Sequence, residues 1–163
     1  MANNKNSRRT IADSFKAAFQ GIWDCICSER NMRIHFSFMA YILFFAVVLH
    51  LDPTEYAVLF LTMALVLSTE MMNTAIEKQC DFIQTKLHPQ IRMIKDIAAG
   101  AVLVAAIFAV SVGVALLWRP AFWQLLLRII TTPTQLALLL LSLILALMFI
   151  FWGPMKMGFG KKK

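Results

Sequence analysis

Between Ser68 and Asp81 the chain places Glu70, Asn73, Glu77 and Asp81 at offsets of 0, 3, 7 and 11. At helical periodicity these four side chains share one face. The residues before them, Tyr56–Leu67, are almost wholly apolar. The carboxylates therefore sit where a helix leaves an apolar medium. A lone Glu at such a place would mark only the exit of the helix. Three aligned carboxylates with an Asn among them point further, because ionisable groups at membrane depth are expensive to hold and usually functional. Counted from Pro53 at about 1.5 Å per residue, Glu70 lies about 25 Å along the helix, near the edge of a hydrocarbon core about 30 Å thick. From there a carboxylate can meet both lipid headgroups and dissolved solutes.

Two further clusters belong to the same polar layer. Glu29, Asn31 and Arg33 follow the first amphipathic segment, and Lys95-Asp96 opens a later apolar stretch after a loop that contains His88. Phosphoryl transfer needs a metal held by a few carboxylates, cationic or amide donors for the phosphates, and a group that positions the attacking hydroxyl. All of those types are present. The six glycines match neither a P-loop nor a kinase glycine-rich loop, so any nucleotide must be held by side chains. Two other chemistries compete. A small transporter or scaffold would use the carboxylates as an ion or proton path, but the apolar runs Tyr56–Leu67 and Ala98–Val112 carry no continuing polar track. A phosphatase would need a nucleophilic His or Cys in a phosphate cradle, and His35, His50 and Cys80 have none around them.

The elements that must position these groups follow from composition. Of 163 residues, 60% are hydrophobic and 15% charged, far from the balance of a soluble domain. Four stretches approach the length a bilayer demands: Ile34–Leu51, Tyr56–Ile76, Ile97–Trp118 and Gln135–Trp152. Asp52-Pro53-Thr54-Glu55 predicts a tight hairpin between the first two, since Pro53 lacks an N–H and disfavours helix at Asp52. Ile11–Ile26 sets Phe15, Ala18, Phe19, Ile22 and Ile26 on one helical face, which predicts an amphipathic helix on the membrane surface. The first span starts too late and runs too long for a cleaved signal peptide, and is expected to stay in the protein.

Net charge is +7. All the Lys and Arg except Arg119 and Arg128 lie in the N-terminal region, the Lys78–Lys95 segment or the C-terminal tail. The positive-inside rule then places both termini in the cytoplasm, with the loops at Asp52–Glu55 and Arg119–Thr134 outside. Because the basic residues flank apolar spans, an anionic leaflet and not nucleic acid is the expected partner. Cys25, Cys27 and Cys80 are odd in number, have no zinc-site spacing, and are expected to be reduced thiols. The expected organisation is an N-terminus and surface helix over 1–33, a three-helix catalytic membrane domain over 34–118, and a connecting loop, extra span and basic tail over 119–163.

Phe15-Lys-Ala-Ala-Phe-Gln-Gly21, Glu29-Arg-Asn-Met-Arg-Ile-His35, Glu70-Met-Met-Asn-Thr-Ala-Ile-Glu77 with Asp81, and Lys95-Asp-Ile-Ala-Ala-Gly-Ala-Val-Leu103 resemble the small integral-membrane prokaryotic diacylglycerol kinases. That group includes the undecaprenol kinases of Gram-positive bacteria. The resemblance covers roughly Phe15–Trp118. It implies an all-α membrane protein, with an N-terminal amphipathic surface helix and three family transmembrane helices, here followed by an extra fourth span. It further implies a homotrimer with active sites shared between subunits, on the cytoplasmic side of the bacterial cell membrane. Glu70 would be the catalytic base, and Glu29 and Glu77 would hold Mg2+. ATP would meet Glu29, Asn73, Glu77, Lys86, Leu87, His88, Lys95 and Asp96, while the lipid would meet Glu70, Ala99 and Arg33. The family's N-terminal nucleotide-contacting Arg falls near Thr10, so Arg9 is the candidate for that role, and an aromatic position of the diacylglycerol enzyme is Ala17 here. The Glu29–His35 and His88–Gly100 segments look more like the undecaprenol enzymes, which makes undecaprenol the expected substrate and diacylglycerol the alternative.

Overall fold

A computed structural model describes residues 10–83 and 88–156. The described residues form six helices: α1 Ile11–Ser28, α2 Arg30–Val48, α3 Pro53–Ile83, α4 Pro89–Leu117, α5 Pro120–Thr131 and α6 Pro133–Lys156. Four of them, α2, α3, α4 and α6, are long and apolar enough to cross a membrane, as the sequence predicts. Large apolar side chains such as Phe38, Leu61, Phe108 and Leu138 stand exposed along these spans. Lipid satisfies such surfaces, while each helix satisfies its own backbone.

α1 begins with a capping box. The Thr10 hydroxyl accepts from Asp13 N at 3.2 Å, and the Asp13 carboxylate accepts from Thr10 N at 3.1 Å. The Thr10 hydroxyl, donating to Asp13 Oδ2 at 2.7 Å, and then Thr10 N hold the Asp13 carboxyl below its ordinary value. Ile11, Phe15 and Phe19 project from one face of α1 into open surroundings, while Cys25 is buried against the bundle. That pattern suits a helix lying on a bilayer surface. The predicted hairpin is present: Asp52 Oδ1 accepts from Thr54 N and Glu55 N at 2.8 and 3.0 Å, and Glu55 Oε2 accepts from Asp52 N at 2.9 Å.

α3 and α4 pack along each other more extensively than any other pair. α3 has 31 residues, about 46 Å at helical rise, so its last turns stand beyond a 30 Å core. Its buried seam runs through Leu59, Met63, Val66, Glu70, Asn73 and Cys80, with Glu77 half-buried in the same register. The steps alternate between four and three residues, the period of a helix-packing seam. Toward the hairpin the seam is apolar and joins Ala46 and Leu51 in a small core.

The connection expected as a loop over Arg119–Thr134 is mostly helical. Pro120 starts α5 at a position where its missing N–H costs nothing. Trp123, Leu127 and Ile130 face outward and Ile129 inward. Phe122 packs edge-on against Phe45 at 5.2 Å, and Trp123 against Trp118 at 5.0 Å. Arg119 pairs with Glu55, which fixes the start of α5 at the hairpin end of the bundle. α6 then returns across the membrane against α2 and reaches α1 at the far end.

Candidate active site

Glu70, Asn73 and Thr74 are buried in α3, and Glu70 is only 2% exposed. The last turn of α1 lies over them: Cys25 Sγ donates to Thr74 Oγ1 at 3.5 Å. Burial pushes the Cys25 thiol above its ordinary value. Glu29 occupies the joint between α1 and α2 in extended backbone, which turns the chain from the membrane surface into the first span. Lys78, next to Glu77 in α3, stands 3.8 Å from Glu29 Oε1, which brings Glu29 to the end of α3 that carries Glu70 and Glu77. Three carboxylates from two elements thus meet in one layer.

The polar contacts within that layer are sparse. Asn73 Nδ2 donates to Glu77 Oε1 at 3.1 Å. Lys78 Nζ donates to Ser28 Oγ at 3.1 Å and stands 3.8 Å from Glu29 Oε1, while Ser28 Oγ donates to the same carboxylate at 3.0 Å. Glu70 Oε2 and Asn73 Oδ1 are buried with no hydrogen-bond partner. Two buried acceptors left open cost about 1–3 kcal/mol each unless something donates to them. The residues present fit a magnesium ion, which is held by one or two carboxylates and takes its remaining ligands from phosphate and water. No group of three or more His, Cys, Asp or Glu side chains among the described residues gathers into a metal cage. Glu29 and Glu77 are the residues that could supply the smaller set.

Lys95 Nζ reaches Asp81 Oδ1 at 2.6 Å and ties α4 to α3. Asp96, one residue on, turns away and pairs with Arg92 at 3.8 Å on the exposed face of α4. His88 caps α4, its Nδ1 accepting from Gln90 N at 3.3 Å. Ala99 lies on the exposed face of α4. Arg9, Lys86 and Leu87 lie outside the described residues.

Arg33 is buried, and its Nε and Nη1 donate to backbone carbonyls. Nε donates to Ile150 O at 3.0 Å, and Nη1 to Ile26 O and Cys27 O at 3.0 and 3.1 Å. Ile26 and Cys27 belong to the last turn of α1, where carbonyls lack helical partners. Ile150 is in the same position in α6, because Gly153 leaves helical geometry at φ +64° and Pro154 has no N–H to offer. One guanidinium therefore caps two helix C-termini, the favourable place for a cation. Gly153 is needed there, since a Cβ would stand 3.2 Å from Arg33 Cζ. Sequence reasoning missed this joint, and also missed Cys25, Ser28, Thr74 and Lys78 as neighbours of the carboxylates. The Gly153-Pro154 pair was the available signal for the end of α6.

The family model described as prokaryotic diacylglycerol kinase matches residues 16–117. The chain belongs to that family. Every described carboxylate of the layer falls inside the matched segment, and α5 and α6 fall outside it. The chain is 34% identical over 111 residues to the undecaprenol kinase of Bacillus subtilis, covering 68% of this chain and 90% of that protein. It is 42% identical over 108 residues to the diacylglycerol kinase of Synechocystis, covering 66% of this chain and 62% of that protein. A shorter match of 57 residues at 39% identity reaches the diacylglycerol kinase of Helicobacter pylori, covering 35% of this chain and 44% of that protein. No solved structure matches the chain significantly. As a member of this family the protein is a membrane-embedded lipid kinase, with ATP as its phosphate donor, and the transporter and scaffold readings fall away.

Proposed function

We propose that this lipid kinase moves the γ-phosphate of MgATP to the primary hydroxyl of undecaprenol, giving undecaprenyl phosphate. The observation that carries the chemistry is Glu70 Oε2, a buried carboxylate oxygen with no donor, at the edge of an apolar span. A lipid hydroxyl brought to that edge is a natural donor to it. Glu70 then takes the hydroxyl proton as the oxygen attacks in line. The last turn of α1 covers the position and excludes water, which would otherwise compete as the nucleophile.

Asn73 fixes Glu77 by its side-chain amide. Glu29 and Glu77 are the residues that would hold magnesium, which when bound neutralises phosphate charge. Lys95 and Asp96, with His88 at the start of α4, are suited to the nucleotide, as are Lys86 and Leu87 by their matching positions; Arg9 is the candidate beside Thr10, where the family's arginine would fall. Ala99 would border the lipid. Arg33 would serve the lipid site through its hold on α1. Family resemblance supports a homotrimer with shared sites. The distribution of Lys and Arg supports a site on the cytoplasmic face of a bacterial cell membrane.

Undecaprenol is supported by the relative named undecaprenol kinase, which the match spans over 90% of its length. Diacylglycerol is the second reading, favoured by the 42% identity to a relative named for that lipid. Both offer a hydroxyl at the interface. Purified protein should be given MgATP and each lipid in the same detergent, with initial rates compared. Faster turnover of undecaprenol is expected, and a clear preference for diacylglycerol refutes the substrate. Glu70→Gln should abolish turnover of either, and retained activity refutes Glu70 as the base.

A further inference from the structure

Away from the carboxylate layer, α2 and the α5–α6 hairpin flank an open-sided crevice of about 920 Å3, within the range of ligand pockets. None of Glu29, Glu70, Asn73 or Glu77 lines it. Its walls are apolar, with Phe36, Phe44, Leu126 and Phe149 among them, and a Tyr41–Ser142 hydrogen bond of 3.0 Å crosses it. Two polar groups at one end remain unanswered. Arg128, in the last turn of α5, is exposed at the rim of the crevice and forms no ion pair among the described residues. Gln135, in the first turn of α6, has its Oε1 buried without a partner.

These features constrain the occupant. A loose hydrocarbon tail, or an apolar helix of a second copy, would fill the walls and leave both polar groups wanting. An occupant that satisfies the whole site combines apolar chains, an anion for Arg128 and a hydrogen-bond donor for Gln135. A glycerophospholipid whose headgroup joins a phosphate to a hydroxyl has that chemistry. The Arg119–Glu55 pair fixes α5 at the hairpin end of α3, and Glu55 is about 22 Å of helix from Glu70. A lipid held here stands at the opposite membrane face from the candidate base and is not the molecule being phosphorylated.

We propose that the crevice between α2, α5 and α6 is a second lipid site, which holds one anionic phospholipid with a donor-bearing headgroup. The test is native mass spectrometry of the full chain in detergent, titrated with phosphatidylglycerol or phosphatidylcholine, the latter having phosphate but no headgroup donor. One phosphatidylglycerol per chain should be retained. Arg128→Glu should weaken retention about tenfold, the equivalent of about 1.4 kcal/mol. Gln135→Leu should erase the preference for phosphatidylglycerol. Ala146→Trp, which fills the crevice without touching the headgroup end, should expel the lipid while helicity by circular dichroism is unchanged. Retention by Arg128→Glu equal to that of the unaltered chain overturns the proposal. So does a cross-link from the crevice residue Leu138 to a second chain.

Discussion

Replacing Arg33 with Met removes a donor group shared by two helix ends while leaving side-chain volume largely in place. Three carbonyls then lose their partner: Ile26 and Cys27 in α1, and Ile150 in α6. At the lower end of about 1.5–3 kcal/mol for each bond to a charged donor, the loss comes to about 4–5 kcal/mol. Arg33→Lys keeps the charge but has a compact ammonium that cannot span both helix ends, so an intermediate loss is expected. Gly153→Val attacks the same joint from the other side. It forces a β-branched residue to φ +64° and sets its Cβ about 3.2 Å from the guanidinium. Unfolding in mixed micelles titrated with a denaturing detergent, followed by circular dichroism, reads all three. Because Glu29 lies between the two carbonyls in α1 and Arg33 itself, the same variants should raise KM for MgATP in whatever folded fraction remains. If Arg33→Met unfolds within about 0.5 kcal/mol of the unaltered chain, water or lipid already satisfies those carbonyls and the joint holds nothing.

Glu77→Gln should raise the magnesium concentration needed for half-maximal turnover more than it changes stability, because Glu77 is half-buried and its one bond to Asn73 survives as an amide contact; an unchanged magnesium profile refutes it as a metal group. Lys95→Met should cost less than about 1 kcal/mol, since its partner Asp81 is 67% exposed, yet raise KM for ATP if Lys95 meets the nucleotide. Cys25 should resist alkylation at neutral pH: burial raises its thiol, so the reactive thiolate grows in only as pH climbs above the ordinary cysteine range. Peptide mapping after iodoacetamide across pH measures this, and rapid labelling at pH 7 contradicts the packing of α1 on Thr74.

Strong periodic signals survived the passage from sequence to structure. The four spans and α1 are readable because long apolar runs and a one-sided helical pattern leave few alternatives. Pro53, flanked by Asp52 and Glu55, carries its own hairpin chemistry. α5 was not legible in the same way. It has 12 residues between Pro120 and Thr131, bounded by turn signals, so a loop was the simpler reading. The pairing of Glu70 with Glu77 on one face needs only helical geometry. The arrival of Glu29 beside them depends on the extended backbone at the α1–α2 joint, a tertiary event with no local signature. Arg33 illustrates the same limit from the other side. Family resemblance places it near substrate, whereas its nearest partners are backbone carbonyls of α1 and of a span that the family model does not cover.

The carboxylate layer is an alteration of a packing seam and not a separate pocket. Along α3 the same alternation of four and three residues carries Leu59, Met63 and Val66 toward the hairpin end, then Glu70, Asn73 and Glu77 toward the other. The register that buries apolar side chains along the span also buries Glu70, the proposed base, toward its polar end. A nucleophile dissolved in water would be poorly served by such a place. A hydroxyl anchored by a hydrocarbon chain arrives at that depth because the chain partitions into the core beside it. Moving the Glu70 carboxylate one helical turn toward the hairpin, as Glu70→Val with Val66→Glu, would leave the seam's register intact and put the base about 6 Å deeper. Fold and helix content should survive, and phosphorylation of either lipid should be lost, since the γ-phosphate of ATP does not follow into the hydrocarbon.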